Sequence, residues 1–238
     1  MTAVFLMAGT GSDDDYLRRS FGPAIAEAGG ELHALAPTAH LVDDYLATLD
    51  EVALAAREEG RAIVVGGVSI GAVVALRWAL RRGGADCAGV LAALPPWSGP
   101  VGDSVAALSA RITADALERD GLEPTIAAMA ATSPDWLAAE LSRSWRSLHD
   151  RDLVGQLRLA ARCAAPTVDE IAALPVPLAI AAAPDDPLHP VRVAHDWAAA
   201  APRAAVVETP LSEWGPHSRL LGDACLAAWR TAGGPALG

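Results

Sequence analysis

The chain has 238 residues, 52% of them hydrophobic and 20% charged, with 18 basic and 29 acidic side chains and a formal charge of −11. That length and apolar fraction suit one large α/β domain or two small ones, and exclude disordered, collagen-like and coiled-coil chains. The basic residues are all arginines in short separate clusters such as Arg18-Arg19 and Arg81-Arg82, so no nucleic acid partner is expected.

In chain order, short apolar runs alternate with helix-length amphipathic stretches. Strands are predicted at Ala3–Ala8, Glu31–Leu35, Arg61–Gly66, Cys87–Leu94, Val176–Ala183 and Ala204–Glu208. Helices are predicted at Asp15–Ala28, Asp43–Glu59, Ile70–Arg82, Val191–Ala200 and His217–Ala232. Asp43-Asp44 opens the second of these and Gly60 closes it, in agreement with the helix dipole. Several strands are apolar on both faces, as a sheet covered on each side requires. The predicted fold is α/β: a doubly wound, mostly parallel sheet of about six strands flanked by helices.

One interval breaks this rhythm. From residue 95 to residue 174 there is no strand pattern, and a crossover needs far less chain. Helical spacing recurs there at Asp103–Asp120, Glu123–Ala131, Ser133–His149 and Asp150–Ala165, with Ser133-Pro134-Asp135 as a helix start. The expected organisation is a core of residues 1–94 and 175–238, with residues 95–174 inserted as a helical lid.

Cys87, Cys163 and Cys225 are scattered and odd in number, so neither a disulfide framework nor a cysteine zinc site is expected. No histidines pair at metal-ligand spacing, and no metal or cofactor is expected. The N-terminal segment lacks the basic flank and cleavage site of a signal peptide. The longest uncharged runs, Ala62 to Leu76 and Cys87 to Gly102, are too short to span a bilayer. A cytoplasmic protein without a membrane span is the expectation.

Gly67-Val68-Ser69-Ile70-Gly71 follows the β-branched run Ile63-Val64-Val65 and precedes a helical run. In that context G-x-S-x-G describes a nucleophile elbow, with small residues where the strand turns sharply into the helix. A serine needs a base, and the base needs an orienting carboxylate. Asp185 and Asp186 follow the penultimate strand, and Glu213 and His217 follow the last, all at the edge of the sheet that Ser69 occupies. His189, close to Asp186, is a rival base.

These motifs, in the order Ser, Asp, His, resemble the α/β-hydrolase fold superfamily. The resemblance implies Ser69 as nucleophile, Asp186 as orienting acid, since Pro190 follows it four residues on, and His217 as base, two residues after Gly215. It also implies an oxyanion hole from the backbone N–H groups of Thr10 and Ile70. The chain has Ala8 where the superfamily often has histidine, and it starts at the strand of Phe5 without an extra hairpin. Trp97 and Trp214 stand on loops expected to reach the catalytic edge and line a substrate pocket. The implied activity is hydrolysis of a small-molecule ester or thioester with an apolar acyl group. A non-catalytic binding protein on the same fold is a second reading. A dinucleotide-dependent oxidoreductase is a third, from the partial fingerprint Gly9-Thr10-Gly11 in which Asp14 replaces the last glycine.

Overall fold

Side chains that alternate along short strands give a sheet two apolar faces, and both must be covered by helices. The computed structural model describes residues 1–238. Six strands, β1 (Ala3–Met7), β2 (Glu31–Leu35), β3 (Ile63–Val68), β4 (Cys87–Ala93), β5 (Leu178–Ala182) and β6 (Ala204–Glu208), form one sheet in the order β2-β1-β3-β4-β5-β6. Every neighbouring pair is parallel, so the predicted mostly parallel sheet is parallel throughout.

The helices are α1 (Asp14–Glu27), α2 (Leu41–Glu58), α3 (Ile70–Arg82), α4 (Val105–Asp120), α5 (Leu122–Ala130), α6 (Asp135–His149), α7 (Leu153–Ala160), α8 (Val168–Ile171), α9 (Val191–Ala200), α10 (Leu211–Trp214) and α11 (Arg219–Thr231). Phe5, Met7, Val65, Val90 and Ile180 face the core beneath α2, α3 and α9. Their alternating neighbours Val4, Leu6, Val64, Leu91 and Ala179 face the core beneath α1 and α11. Between β4 and β5, helices α4 to α7 share a small core of their own around Leu117, Trp145, Leu148 and Leu157.

Most boundaries shift by a residue or two from expectation, and three of the shifts have a plain local reason. β3 starts at Ile63 rather than Arg61, because the Arg61 N–H donates back to the Ala56 carbonyl and closes α2 over the left-handed Gly60. The helix expected over Asp150–Ala165 shortens to α7. Its start is set by the Asp152 carboxylate, which accepts the Gly155 N–H at 3.0 Å. It ends at Ala160, and the chain beyond it pairs with the loop after β4, the Ala165 N–H donating to the Gly99 carbonyl. The last helix starts at Arg219, because Leu211–Trp214 forms a separate turn.

The chain passes from β1 to β2 on one side and returns to β3 on the other. Loops after β1 and β3 therefore part at the carboxyl edge, the place where open α/β sheets bind ligands.

Candidate active site

β3 ends in Gly66-Gly67-Val68 and α3 begins at Ile70, so Ser69 alone must turn the chain. It does so at φ 53 and ψ −113, a conformation that costs a non-glycine residue about 1–3 kcal/mol and persists only when its surroundings impose it. Its N–H donates to the Ala93 carbonyl at 2.9 Å. A Cβ on Gly67 would stand 2.3 Å from the Met7 carbonyl oxygen, and one on Gly71 2.2 Å from the same atom. The elbow needs both glycines because β1 and α3 approach each other that closely.

After β5, Asp186 folds the loop around its own carboxylate. Its Oδ1 accepts the N–H of Leu188 at 2.7 Å and that of His189 at 3.2 Å. This Asx-type turn returns the His189 ring to the same carboxylate. Nδ1 lies 2.8 Å from Asp186 Oδ2, and Nε2 lies 3.0 Å from Ser69 Oγ. With Nδ1–H donating to the carboxylate, the Nε2 lone pair is left to accept the Ser69 O–H. Burial works to raise the Asp186 carboxyl. The hydrogen bond and charge of His189, with the N–H groups of Leu188 and His189, outweigh it and hold the group below the usual carboxylate range. The two side chains are only 15% (His189) and 6% (Asp186) exposed.

The structure thus brings His189 to Ser69, and not His217, the histidine expected there. His217 lies exposed in the turn between α10 and α11, and its ring makes no hydrogen bond to Ser69 or Asp186. Asp185 explains why: its carboxylate accepts the N–H groups of Leu211 and Ser212 and starts α10 there. Those backbone bonds, Leu211 first, also hold its carboxyl low. α10 then places Trp214 against the cavity and carries the following histidine past it to the surface. Glu213, the alternative orienting carboxylate, is also exposed. The signal for His189 was present in the sequence, as an aspartate followed three residues later by histidine in a proline-bounded turn.

The loop after β1 carries Thr10 and meets the elbow directly. A Cβ on Gly9 would lie 3.3 Å from the Val68 carbonyl oxygen and 3.5 Å from the Ser69 Cβ. Neither the Thr10 nor the Ile70 N–H donates to a backbone carbonyl. The loop is fastened from above by α6. Arg143 donates to both Asp13 oxygens at 2.8 Å and to Glu140 at 2.6 Å. The Ser144 hydroxyl donates to the Gly11 carbonyl at 2.6 Å. Asp13 also caps α1 by accepting the Tyr16 N–H. The Trp145 indole nitrogen stands 2.9 Å from where a Gly11 Cβ would be. That ring and the Asp13 carboxylate occupy the ground a pyrophosphate would need, which disfavours the dinucleotide reading.

Ser69, His189 and Asp186 open into a cavity of about 270 Å³. Its walls come from the loops after β1, β3, β4 and β5, from α10, and from α4, α6 and α7. Trp97 and Trp214, both expected there, line it. The Trp97 N–H is bonded away from it, to the Cys163 carbonyl at 3.2 Å. Trp136 and Trp145 line it as well. Trp136 tilts against Trp214 at 5.9 Å. No arginine or lysine is among the lining residues. His, Cys, Asp and Glu side chains form no group of three that could hold a metal ion.

Comparison with known proteins agrees with this layout. Among solved structures, bromoperoxidase from Bacillus anthracis superposes with a TM-score of 0.71 at 15% identity, covering 96% of this chain and 92% of that one. The putative non-heme bromoperoxidase BpoC from Mycobacterium tuberculosis H37Rv gives 0.69 at 17%, covering 98% and 93%. A thermophilic esterase from Thermogutta terrifontis gives 0.65 at 18%, covering 98% and 90%. At such identities the likeness establishes the fold alone. A search of curated proteins gives no match. The sequence itself matches the profile of the alpha/beta hydrolase family over residues 7–223. With nearly the whole sequence matched and the sheet and elbow in place, the chain belongs to the alpha/beta hydrolase family.

Proposed function

We propose that the protein is a serine hydrolase that cleaves a carboxylic ester or thioester with an apolar acyl group, through an acyl-enzyme. The observation that carries this reading is the continuous hydrogen-bonded line Asp186–His189–Ser69 at the floor of an apolar cavity. Ser69 Oγ attacks the acyl carbonyl while His189 Nε2 takes its proton, and the carbonyl electrons move onto oxygen. The N–H groups of Thr10 and Ile70 receive that oxyanion, with the N-terminus of α3 adding to the field. His189 then gives the proton to the departing alkoxide or thiolate as the C–O or C–S bond breaks. A water repeats the sequence on the acyl-enzyme and frees the acid. Asp186 keeps the imidazole in one tautomer and stabilises it when charged.

The insertion between β4 and β5 serves as a lid, in keeping with the side chains that α4, α6 and α7 lend to the cavity. No helix of the protein is long and apolar enough to cross a membrane. Three buried, unpaired cysteines suit the reducing conditions of a cytoplasmic protein.

A fluorophosphonate probe tests the reading, because only an activated serine reacts with it. Labelling of the wild type, and none of Ser69→Ala, is the expected result. Ser69→Ala should also lower kcat/KM on short esters by at least about 10³-fold with the fold retained. A wild type that binds esters but neither labels nor turns them over would favour the non-catalytic binding protein.

A further inference from the structure

The loop that carries the Thr10 N–H has little to hold itself in shape. Gly9, Thr10, Gly11 and Ser12 make one turn, closed by the backbone bond from the Ser12 N–H to the Gly9 carbonyl at 3.0 Å. Gly11 stands in its third position at φ 76, the pattern of a type II turn. Gly9 and Gly11 leave such a turn loose, because glycine has the widest choice of backbone conformation. An oxyanion hole needs the opposite. Its donors lower the barrier when they are already aimed where the charge will develop.

The stiffness comes from α6. Ser144 is fully buried, and its hydroxyl donates to the Gly11 carbonyl at 2.6 Å. A serine within a helix commonly bonds back to a carbonyl of its own preceding turn. Here the Leu141 carbonyl lies at 3.3 Å, and the single hydroxyl proton goes to the closer Gly11. No backbone N–H reaches that Gly11 carbonyl, so Ser144 is what fixes its direction. Two residues on, Asp13 is pinned by Arg143 through both carboxylate oxygens at 2.8 Å. Neither Ser144 nor Arg143 lines the cavity. What they do for a bound substrate must therefore pass through the loop.

We propose that Ser144 is a positioning residue of the oxyanion hole, holding the Thr10 N–H in place through the Gly11 carbonyl, with the Arg143–Asp13 pair as a second stay. The inference rests on the hydrolase reading for what the Thr10 N–H does. It makes the insertion between β4 and β5 a working part of the catalytic centre.

The test compares two ligands by calorimetry in the wild type and in Ser144→Ala. One is an alkyl trifluoromethyl ketone. Ser69 Oγ adds to its carbonyl carbon, the serine proton passes to His189, and the carbonyl electrons stay on oxygen as an oxyanion. The other is the matching trifluoromethyl carbinol, which fills the same space and forms no adduct. Alanine is a better helix former than serine, so the change does not weaken α6 itself. Ser144→Ala should bind the ketone at least about tenfold more weakly, part of the roughly 10²–10³-fold that a whole oxyanion donor contributes. The carbinol should stay within about twofold. On a short ester, kcat should fall with the ketone affinity while KM holds. Ser144→Cys, a weaker donor of similar size, should fall between the two and supplies the same comparison where the alanine variant is poorly folded. Nitrogen-15 relaxation gives a readout free of the chemistry. The order parameter of the Thr10 N–H should drop from the rigid range of about 0.85 towards about 0.6, with those of α1 and α6 unchanged. Equal losses for ketone and carbinol, ketone binding that survives both substitutions, or an unchanged Thr10 order parameter would each overturn the proposal. A wild type that binds the ketone no better than the carbinol and turns over no ester would overturn the hydrolase reading, and the proposal with it, before any Ser144 variant is made.

Discussion

His189 and Asp186 are three residues apart, so their mutual geometry is set by one turn and not by the pairing of β5 with β6. Replacing His189 with Ala should lower kcat/KM by about 10³-fold or more, whereas His217→Ala should leave ester hydrolysis within about twofold, a surface change of the usual size. Steady-state assays on one short ester compare the two, and the reverse order would return the role to His217. The neighbouring aspartates should separate in kind. Asp186→Asn loses the group that fixes the imidazole tautomer and acts on rate. Asp185→Asn weakens the start of α10 and should act mainly on stability, read as a lowered Tm. The serine and its glycines were legible from sequence because the elbow is a local motif. Which histidine meets Ser69 was offered by the sequence only as a choice, because two histidines sit in loops at one edge and the outcome turns on where α10 stops.

At the scale of elements, β2, β6, α3 and α9 occupy their predicted residues, since each is bounded by a turn signal and carries an unbroken period. α7 is shorter than expected and α10 was not expected at all, because their starts depend on Asp152 and Asp185 accepting N–H groups, which periodicity does not report. The ties between α6 and the loop after β1 were likewise invisible, being pairs some 130 residues apart in the chain. They have a pH signature. Burial works to raise the Asp13 carboxyl, but Arg143 and the Tyr16 N–H together hold it below its ordinary 3.8. The stability this contributes is present above the unfolded value and is lost as pH falls through the lower folded one. Asp13→Asn should therefore lower Tm at neutral pH, by the equivalent of about 1–2 kcal/mol. It should also flatten the decline in Tm between about pH 5 and pH 3. Thermal melts across that range check both, and parallel wild-type and variant curves would show that Asp13 does not supply the acid-sensitive term.

For the molecule as a whole, the alternation of strands and helices announced the doubly wound sheet, and the strandless interval announced the helical insertion. What sequence could not show is how far the insertion reaches into the cavity. Trp97 belongs both to the core beneath α3 and to the cavity wall. Trp97→Ala should lower Tm, since emptying such a site costs about 3–5 kcal/mol, and should shift the preferred acyl length upward by enlarging the pocket. A kcat/KM series over ester chain length decides whether it selects substrate. A uniform fall that tracks Tm would leave it a packing residue. The attachment of α6 to the loop after β1 has one further consequence, for traffic. If α6 swings outward to admit substrate, it must either break the bonds from Arg143 and Ser144 or drag Asp13 and Gly11 with it. Either way the Thr10 N–H is no longer held in place. That route would work as an interlock, in which an ajar enzyme is disarmed. A substrate that slips in beside α4 and α7 would find the machinery already set.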